Sequence, residues 1–379
     1  MAGIISYWGK PELADVEVVI REEQIANGSR KRGRTGQLSL PGHKLVLCGA
    51  STVVEAQIVG SAAEMQMEHS KSSKLPIVHL DVPVGQLEVG RQLLRCMYEQ
   101  QPELAGSDPH TLLQLLLLAD KYHVPAVMAA AARAYIGIPV EQLPWDAVTE
   151  VYSLPAALAE NPALAPVHAA VAVKLQHELG DLELVFADQQ GQKQQQLKGL
   201  PHAAMQQLLR DERMRVASEN TAAHAVLAWA QAQEGVSDKQ LLQLASLVRM
   251  SHCSQLYVTT VLLQQQQLVR AVGRFPLQYA ALCSSIGKLM VEDTSDNAVH
   301  GRYPAWFAEQ RPASAMRQLV INWHVPLGDI KQLVVQQLQQ GGHLDNLTSE
   351  TYHWPQLQAL MRGEGPWQPR HQRRRGGAS

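Results

Sequence analysis

The sequence is poor in aromatic residues, 5% of 379 positions, so Leu, Ala and Val must fill any core. With abundant Gln, that bias reads as predominantly helical. Cysteine is scarce: Cys48, Cys96, Cys253 and Cys283 lie far apart, without CxxC or metal-ligand spacing. They read as buried free thiols of a reducing compartment, not as a disulfide framework. Charge of one sign is lacking, since 33 Lys and Arg face 35 Asp and Glu. No global field therefore draws the chain to nucleic acid or a membrane. No run of 18 uninterrupted apolar residues occurs, and the Leu-rich stretch at 112–118 contains Gln114 and meets Asp120-Lys121. It does not read as a bilayer span. Met1 to Trp8 lacks the apolar core of a signal peptide.

Catalytic patterns are missing as well. There is no phosphate-binding P-loop, no GxGxxG, and the 15 histidines form neither HxxxH nor HExxH. His43 and Cys48 are five apart across a strand–helix turn, which is the wrong spacing for a local nucleophile–base pair. Asp181 and Glu183 sit at a helix start, where acids complement the dipole. No catalytic, cofactor-binding or metal-binding residue is expected. The basic clusters Arg30 to Arg34 and Arg373 to Arg375 read as solvated segments.

What is present is a change of period along the chain. Residues 14–20 alternate as a strand, with Val16, Val18 and Ile20 on one face. A second strand is expected from Leu38 to Leu47, interrupted at Pro41-Gly42 and turning into a helix over about 45–59, then a loop over 60–74. Leu75 to Asp81 reads as a third strand, and Leu87, Gly90, Leu94 and Tyr98 follow a helical repeat. Asp108-Pro109 is a helix start: the carboxylate can cap free amides, and proline there loses no needed donor. From 138 onward helix follows helix, with spans at 145–152, 163–178, 181–187, 201–210, 219–233, 238–249, 253–267 and 276–283. The Gln runs at 194–196 and 264–267 read as solvated helix face or loop. Leu319 to Val325 reads as a strand, and Trp323 lies in it.

Two segments carry a resemblance. Asp15, His43, Lys44, Leu47 and Ser51, with Leu93, Leu94, Tyr98 and Ala119 to Val124, are similar to the signature of BTB/POZ domains. Leu208 to Asp211, Ser218, Glu219, Asn220 and Trp229 resemble the BACK domain that commonly follows a BTB domain. The Ala- and Gln-rich character resembles BTB–BACK proteins of green algae.

The resemblance implies an α+β protein. A BTB/POZ domain (14–137), a small mixed sheet capped by helices, leads through a helical connector (138–199) to an all-α BACK domain (200–283). A linker (284–312), a small C-terminal segment (313–354) and a basic disordered tail (355–379) follow. The C-terminal segment looks like the start of a β-rich module without its later strands. The resemblance further implies a protein-interaction adaptor without chemistry of its own, cytoplasmic or nuclear, that joins a protein substrate to a cullin scaffold for ubiquitination. A BTB-mediated scaffold or transcription-associated protein that binds no cullin is the alternative.

Asp15, His43 and Lys44 are carried over as protein-binding candidates, Asp15 and Lys44 as a charged pair of the dimer interface. Asp120, Lys121 and Tyr122 are carried over as residues near the cullin face. Ser51 is expected to cap the helix after it, Leu45, Val46 and Leu47 to bury, and Trp229 to pack in the core. About 13 residues precede the first strand, fewer than a swapped dimer uses, so a monomer or weak homodimer is expected. Ala62-Ala63-Glu64 and Met65 to Glu68 match the family's cullin-contacting loop motif poorly.

Overall fold

The structure, a computed structural model, describes residues 7–23, 36–67, 75–99, 101–155, 158, 160–286 and 298–315, with backbone alone at 61–67, 282–286, 298 and 300. The cluster Arg30 to Arg34, the segment with Trp323, the C-terminal tail and the side chains from Glu64 to Glu68 fall outside that description. The chain divides into two compact units, 1–174 and 175–379.

In the first unit, β1 (Val16–Glu22), β2 (Gln37–Gly42) and β3 (Ile77–Val82) form a mixed sheet of order β2-β1-β3. β1 pairs antiparallel with β2 and parallel with β3. Val16, Val18 and Ile20 are buried as the alternation predicts, with Val78, Leu80 and Val82 beside them. Five helices follow the strands or lie between them: α1 (Lys44–Ala50), α2 (Thr52–Met67), α3 (Leu87–Cys96), α4 (Pro109–Lys121) and α5 (Pro125–Ile136). α6 (Trp145–Tyr152) comes next. On α3, a Cβ at Gly90 would stand 2.8 Å from Ile20 Cγ2 and 2.9 Å from Val82 Cγ1, so glycine is what lets this helix lie so close to the sheet.

α4 is buried on nearly every face, as its apolar run predicts. Its start is capped by Asp108, which accepts the Thr111 N–H at 3.1 Å. Hydrogen bonding by the Thr111 side chain first, and by backbone N–H groups of the first turn after it, holds the Asp108 carboxyl below the usual carboxylate range. Asp108→Ala is expected to lower stability by about 1 kcal/mol, read as a shift of the urea midpoint at constant slope. A folded pKa below the unfolded one means that the contribution is present above the unfolded value, about 3.9, and is lost as pH falls through the folded value.

α7 (Ala165–Leu179) leads into the second unit, which is helical: α8 (Leu182–Ala187), α9 (Gln192–Lys198), α10 (His202–Arg210), α11 (Glu219–Ala232), α12 (Asp238–Ala245), α13 (Gln255–Thr260), α14 (Gln266–Val272), α15 (Arg274–Ile286) and α16 (Ala298–Arg302). α11 is its central element, buried over most of its length. Ser237 and Gln240 form a reciprocal capping box at the start of α12.

The structure departs from the sequence expectations in several places. The second strand stops at Gly42, and the helix starts at Lys44 because Asp15, the residue before β1, caps it. The expected helix breaks at Ser51, which is extended, and its successor α2 runs to Met67 instead of ending near 59. Ala, Glu, Met and Gln over 62–67 are strong helix formers, which outweighs the polarity of that stretch. The expected helix at 253–267 becomes α13, a 3₁₀ turn at Leu262–Gln264 and α14. Val258, Thr259, Thr260 and Val261 are β-branched, and both threonine hydroxyls bond back to carbonyls of the preceding turn. The Gln run at 194–196 lies within α9, a helix absent from the expected spans.

The stretch expected as a linker, 284–312, is in its described part a strap built into the second unit. Tyr303 stacks on Trp306 with ring centroids 4.3 Å apart, and the fully buried Trp306 donates through Nε1 to the Ala245 carbonyl at 2.8 Å. Further on, the Val216 N–H donates to the Pro312 carbonyl and the Ser314 N–H to the Val216 carbonyl, both at 3.1 Å.

Candidate functional site

The first candidate cluster forms where β2 turns into α1. A Cβ at Gly42 would lie 2.9 Å from side-chain carbons of both Val16 and Val18, so only glycine lets the chain turn against the sheet here. His43 follows, 9% exposed. Its backbone N–H donates to the Tyr98 hydroxyl oxygen at 3.0 Å. The Tyr98 O–H then donates to His43 Nδ1 at 3.1 Å, which leaves Nε2–H to donate to the Glu12 carbonyl at 3.2 Å. Tyr7 meets the His43 ring and Trp8 the Tyr98 ring, at 5.7 and 5.5 Å between centroids. His43 therefore fastens residues 7–12 to the sheet and to the end of α3. Cys48 is no nucleophile for it: burial pushes the thiol up, and Glu55 and Asp15 add to the effect.

Asp15 and Lys44 do come together, through a different group from the one expected. Asp15 Oδ1 accepts the Lys44 backbone N–H at 2.8 Å and so caps α1. Of the apolar trio, Leu47 is buried and Val46 half-buried, but Leu45 is 89% exposed, a correction to the expected burial. α1 is a single short amphipathic helix lying on the sheet, and residue 45 falls on its outer side.

The second cluster closes the outer edge of β3. Tyr122, expected near a partner face, is 3% exposed, and its hydroxyl meets the N–H and the carbonyl of Asp81. Burial pushes its hydroxyl up to about 12. Beside it, Gln57 treats His79 as a strand would: the His79 N–H donates to Oε1 at 3.0 Å and Nε2 donates to the His79 carbonyl at 3.2 Å. Side chains thus occupy this sheet edge and remove it as a template for a further strand. Lys121 pairs with Glu23 and donates to the Asp81 carbonyl at 2.8 Å. Asp120 accepts from Asn161 Nδ2 at 2.7 Å. Ser51 caps α2 as expected, accepting the Val54 N–H at 3.1 Å, while its own hydroxyl donates to the Tyr122 carbonyl.

The third cluster, in the second unit, surrounds the start of α11. Ser218 caps it, accepting the Asn220 N–H at 3.3 Å. Glu219 is 1% exposed: Oε1 lies 2.9 Å from Arg311 Nε, and Oε2 accepts the Arg249 N–H at 3.2 Å. Arg311, 4% exposed, also donates to the carbonyls of Leu209 and Leu247 at 2.8 and 3.0 Å. Asn220 holds Ser254 through both ends of its amide. Glu183, fully buried, accepts from the Ala217 N–H at 3.2 Å and from the Thr221 hydroxyl, so the dipole role expected of it is not its main contact. Asp181 accepts from Ser314 and Ala315 of the strap, at 2.6 and 2.9 Å. Trp229 is core, as expected: 2% exposed, with Nε1 donating to the Leu200 carbonyl at 2.8 Å.

Carboxylates, amides and arginines in these clusters are turned on one another and on the backbone, an arrangement that ties elements together. A family model of the BTB/POZ domain matches residues 34–137. A second, described as BACK, BTB And C-terminal Kelch, matches residues 189–263. The chain is a BTB–BACK protein. No curated protein matches it.

The two domains make it a protein-interaction adaptor in architecture. Their matches stop short of residues this structure makes integral. β1, the central strand, and Asp15 precede the BTB match, and Asp181, Glu183 and Arg311 flank the BACK match on either side. Tyr98, Gln57, Arg249 and Arg311 went unassigned as site residues in the sequence. Each acts through a partner 22 to 102 positions away; the BTB-like signature includes Tyr98 but not its bond to His43, and nothing local marks the other three. Among the described residues, no helix is long and apolar enough to cross a membrane, and no group of three His, Cys, Asp or Glu is placed to hold a metal ion.

Proposed function

We propose that the chain is the substrate-recognition adaptor of a cullin-type ubiquitin ligase, acting in the cytoplasm or nucleus. The observation that carries this reading is the order of the two domains, BTB and then BACK, in one chain. The BTB unit docks on the scaffold, the BACK unit sets distance and direction, and a protein target is held close to the ligase. The whole effect is a raised local concentration of target, with no chemistry by the adaptor itself. A second reading, a scaffold working through self-association alone, draws on the 89% exposure of Leu45 on α1, with Leu13 at 76% nearby in sequence to the capping Asp15. The Asp15 carboxylate is already engaged by Lys44 of its own chain, which favours a monomer or a homodimer with a dissociation constant of roughly micromolar or weaker.

One experiment separates the readings. Recombinant cullins are captured on the full chain while light scattering records its mass. The ligase reading expects a complex with a dissociation constant of about 1 μM or tighter, weakened by charge reversal at Asp120 and Lys121. No complex at micromolar concentration, with a dimer present, leaves the scaffold reading. Tyr122 serves as a folding control, because its buried ring cannot reach a partner.

A further inference from the structure

In the second unit, α8, α9 and α11 enclose a groove of about 320 Å³ that none of the three clusters uses. Phe186 and Ala228 supply apolar wall, and Gln194, Lys198, His224 and Gln231 supply polar groups. The His224 ring meets Phe186 edge-on with centroids 5.1 Å apart, and Gln194 Nε2 donates to the Phe186 carbonyl at 3.2 Å, so the wall is braced. Neither Lys198 nor His224 has a carboxylate partner among the described residues. Two groups that donate to anions thus stand on a concave surface without a counter-charge.

We propose that this groove takes an acidic residue of an extended partner peptide, its carboxylate on Lys198 and His224 and a neighbouring apolar side chain on Phe186 and Ala228. The Gln194 and Gln231 amides flank the peptide backbone. The volume sits at the low end of ligand pockets, about 300 Å³, and admits one or two side chains, not a folded surface. A phosphate dianion would call for an arginine fork or a nest of backbone N–H groups, and the wall offers neither. This contact goes beyond the ligase reading and does not depend on it, since no cullin takes part.

The charges give the site a pH dependence of known sign. α8 sets Phe186 against His224, and α9 sets Gln194 and Lys198, so among the described residues of the groove Lys198 is the charged group acting on the ring. Burial first, and Lys198 second, hold the free imidazole below its ordinary value. A bound carboxylate favours the imidazolium, so binding takes up a proton. Affinity therefore rises as pH falls toward and below the ordinary imidazole value of about 6.5, until the peptide carboxylate itself protonates near about 4.3.

The test uses the full chain with ¹⁵N-labelled histidine, titrated with acetyl-Leu-Glu-Leu-amide, its Gln counterpart and inorganic phosphate. His224→Gln assigns the imidazole signals. The Glu peptide is expected to shift them, to raise their titration midpoint, and to bind about fivefold more tightly than the Gln peptide, the effect of one partly exposed ion pair. Lys198→Ala is expected to abolish that discrimination with an unchanged melting temperature, and Lys198→Gln, which keeps the stem, to do the same. Equal binding of the Glu and Gln peptides, an unmoved His224 signal, or phosphate displacing the Glu peptide at lower concentration overturns the proposal.

Discussion

Arg311→Leu is expected to destabilise the second unit by about 3–5 kcal/mol, the usual cost of leaving one partner of a buried ion pair behind. The guanidinium and the Glu219 carboxylate meet at 2.9 Å with side-chain exposures of 1% and 0%. Without the arginine, Glu219 keeps the Arg249 amide but loses its countercharge, and the carbonyls of Leu209 and Leu247 lose a donor. The strap loses its main polar anchor as well. Pairing the change with Glu219→Gln should recover part of the loss, because an amide needs no countercharge. Thermal melts followed by circular dichroism measure both variants. An additive double mutant would mean that the two side chains are not coupled. The BTB unit, which lacks any part of this network, serves as the internal reference.

Trp229→Ala is expected to cost about 3–5 kcal/mol, since it empties a large buried site on the central helix. Trp229→Phe separates volume from polarity. It keeps most of the packing and leaves the Leu200 carbonyl only the longer Gln233 Nε2 contact at 3.5 Å, at a cost of about 1 kcal/mol. Urea unfolding with a constant slope reads both. An unchanged midpoint accompanied by loss of partner binding would instead place the ring at an interface.

Where local pattern and tertiary environment agree, the sequence was legible. Val16, Val18 and Ile20 alternate because one face of β1 is buried, and Asp108-Pro109 opens a helix through groups only a few bonds apart. Both can be read within a window of five residues. The short helices were less legible. Lys44 to Leu47 reads as the end of a strand until Asp15, 29 positions before Lys44, supplies a helix cap. The candidate site divides in the same way. His43, Glu219 and Trp229 were visible as residues of a known pattern, but their work was not: His43 fastens a preceding segment, and Glu219 anchors a strap more than 90 positions later. Tyr122 was visible as part of the family signature and was carried over as near a partner face, while its hydroxyl closes the edge of β3, a role that rests on Asp81, 41 positions earlier.

By itself the sequence determined the class of this protein: a mixed sheet with capping helices, a helical second half, and no residues spaced for catalysis or metal binding. Those properties follow from periodicity, caps and motif spacing, all local along the chain. The tertiary structure alone decided which polar groups are consumed inside the fold and which remain for a partner. Burial and pairing depend on neighbours far away in sequence. Arg311 is spent on Glu219, Asp15 on the Lys44 amide and Tyr122 on Asp81, whereas Leu45 on α1 stays exposed and, among the described residues, no carboxylate pairs with Lys198 or His224.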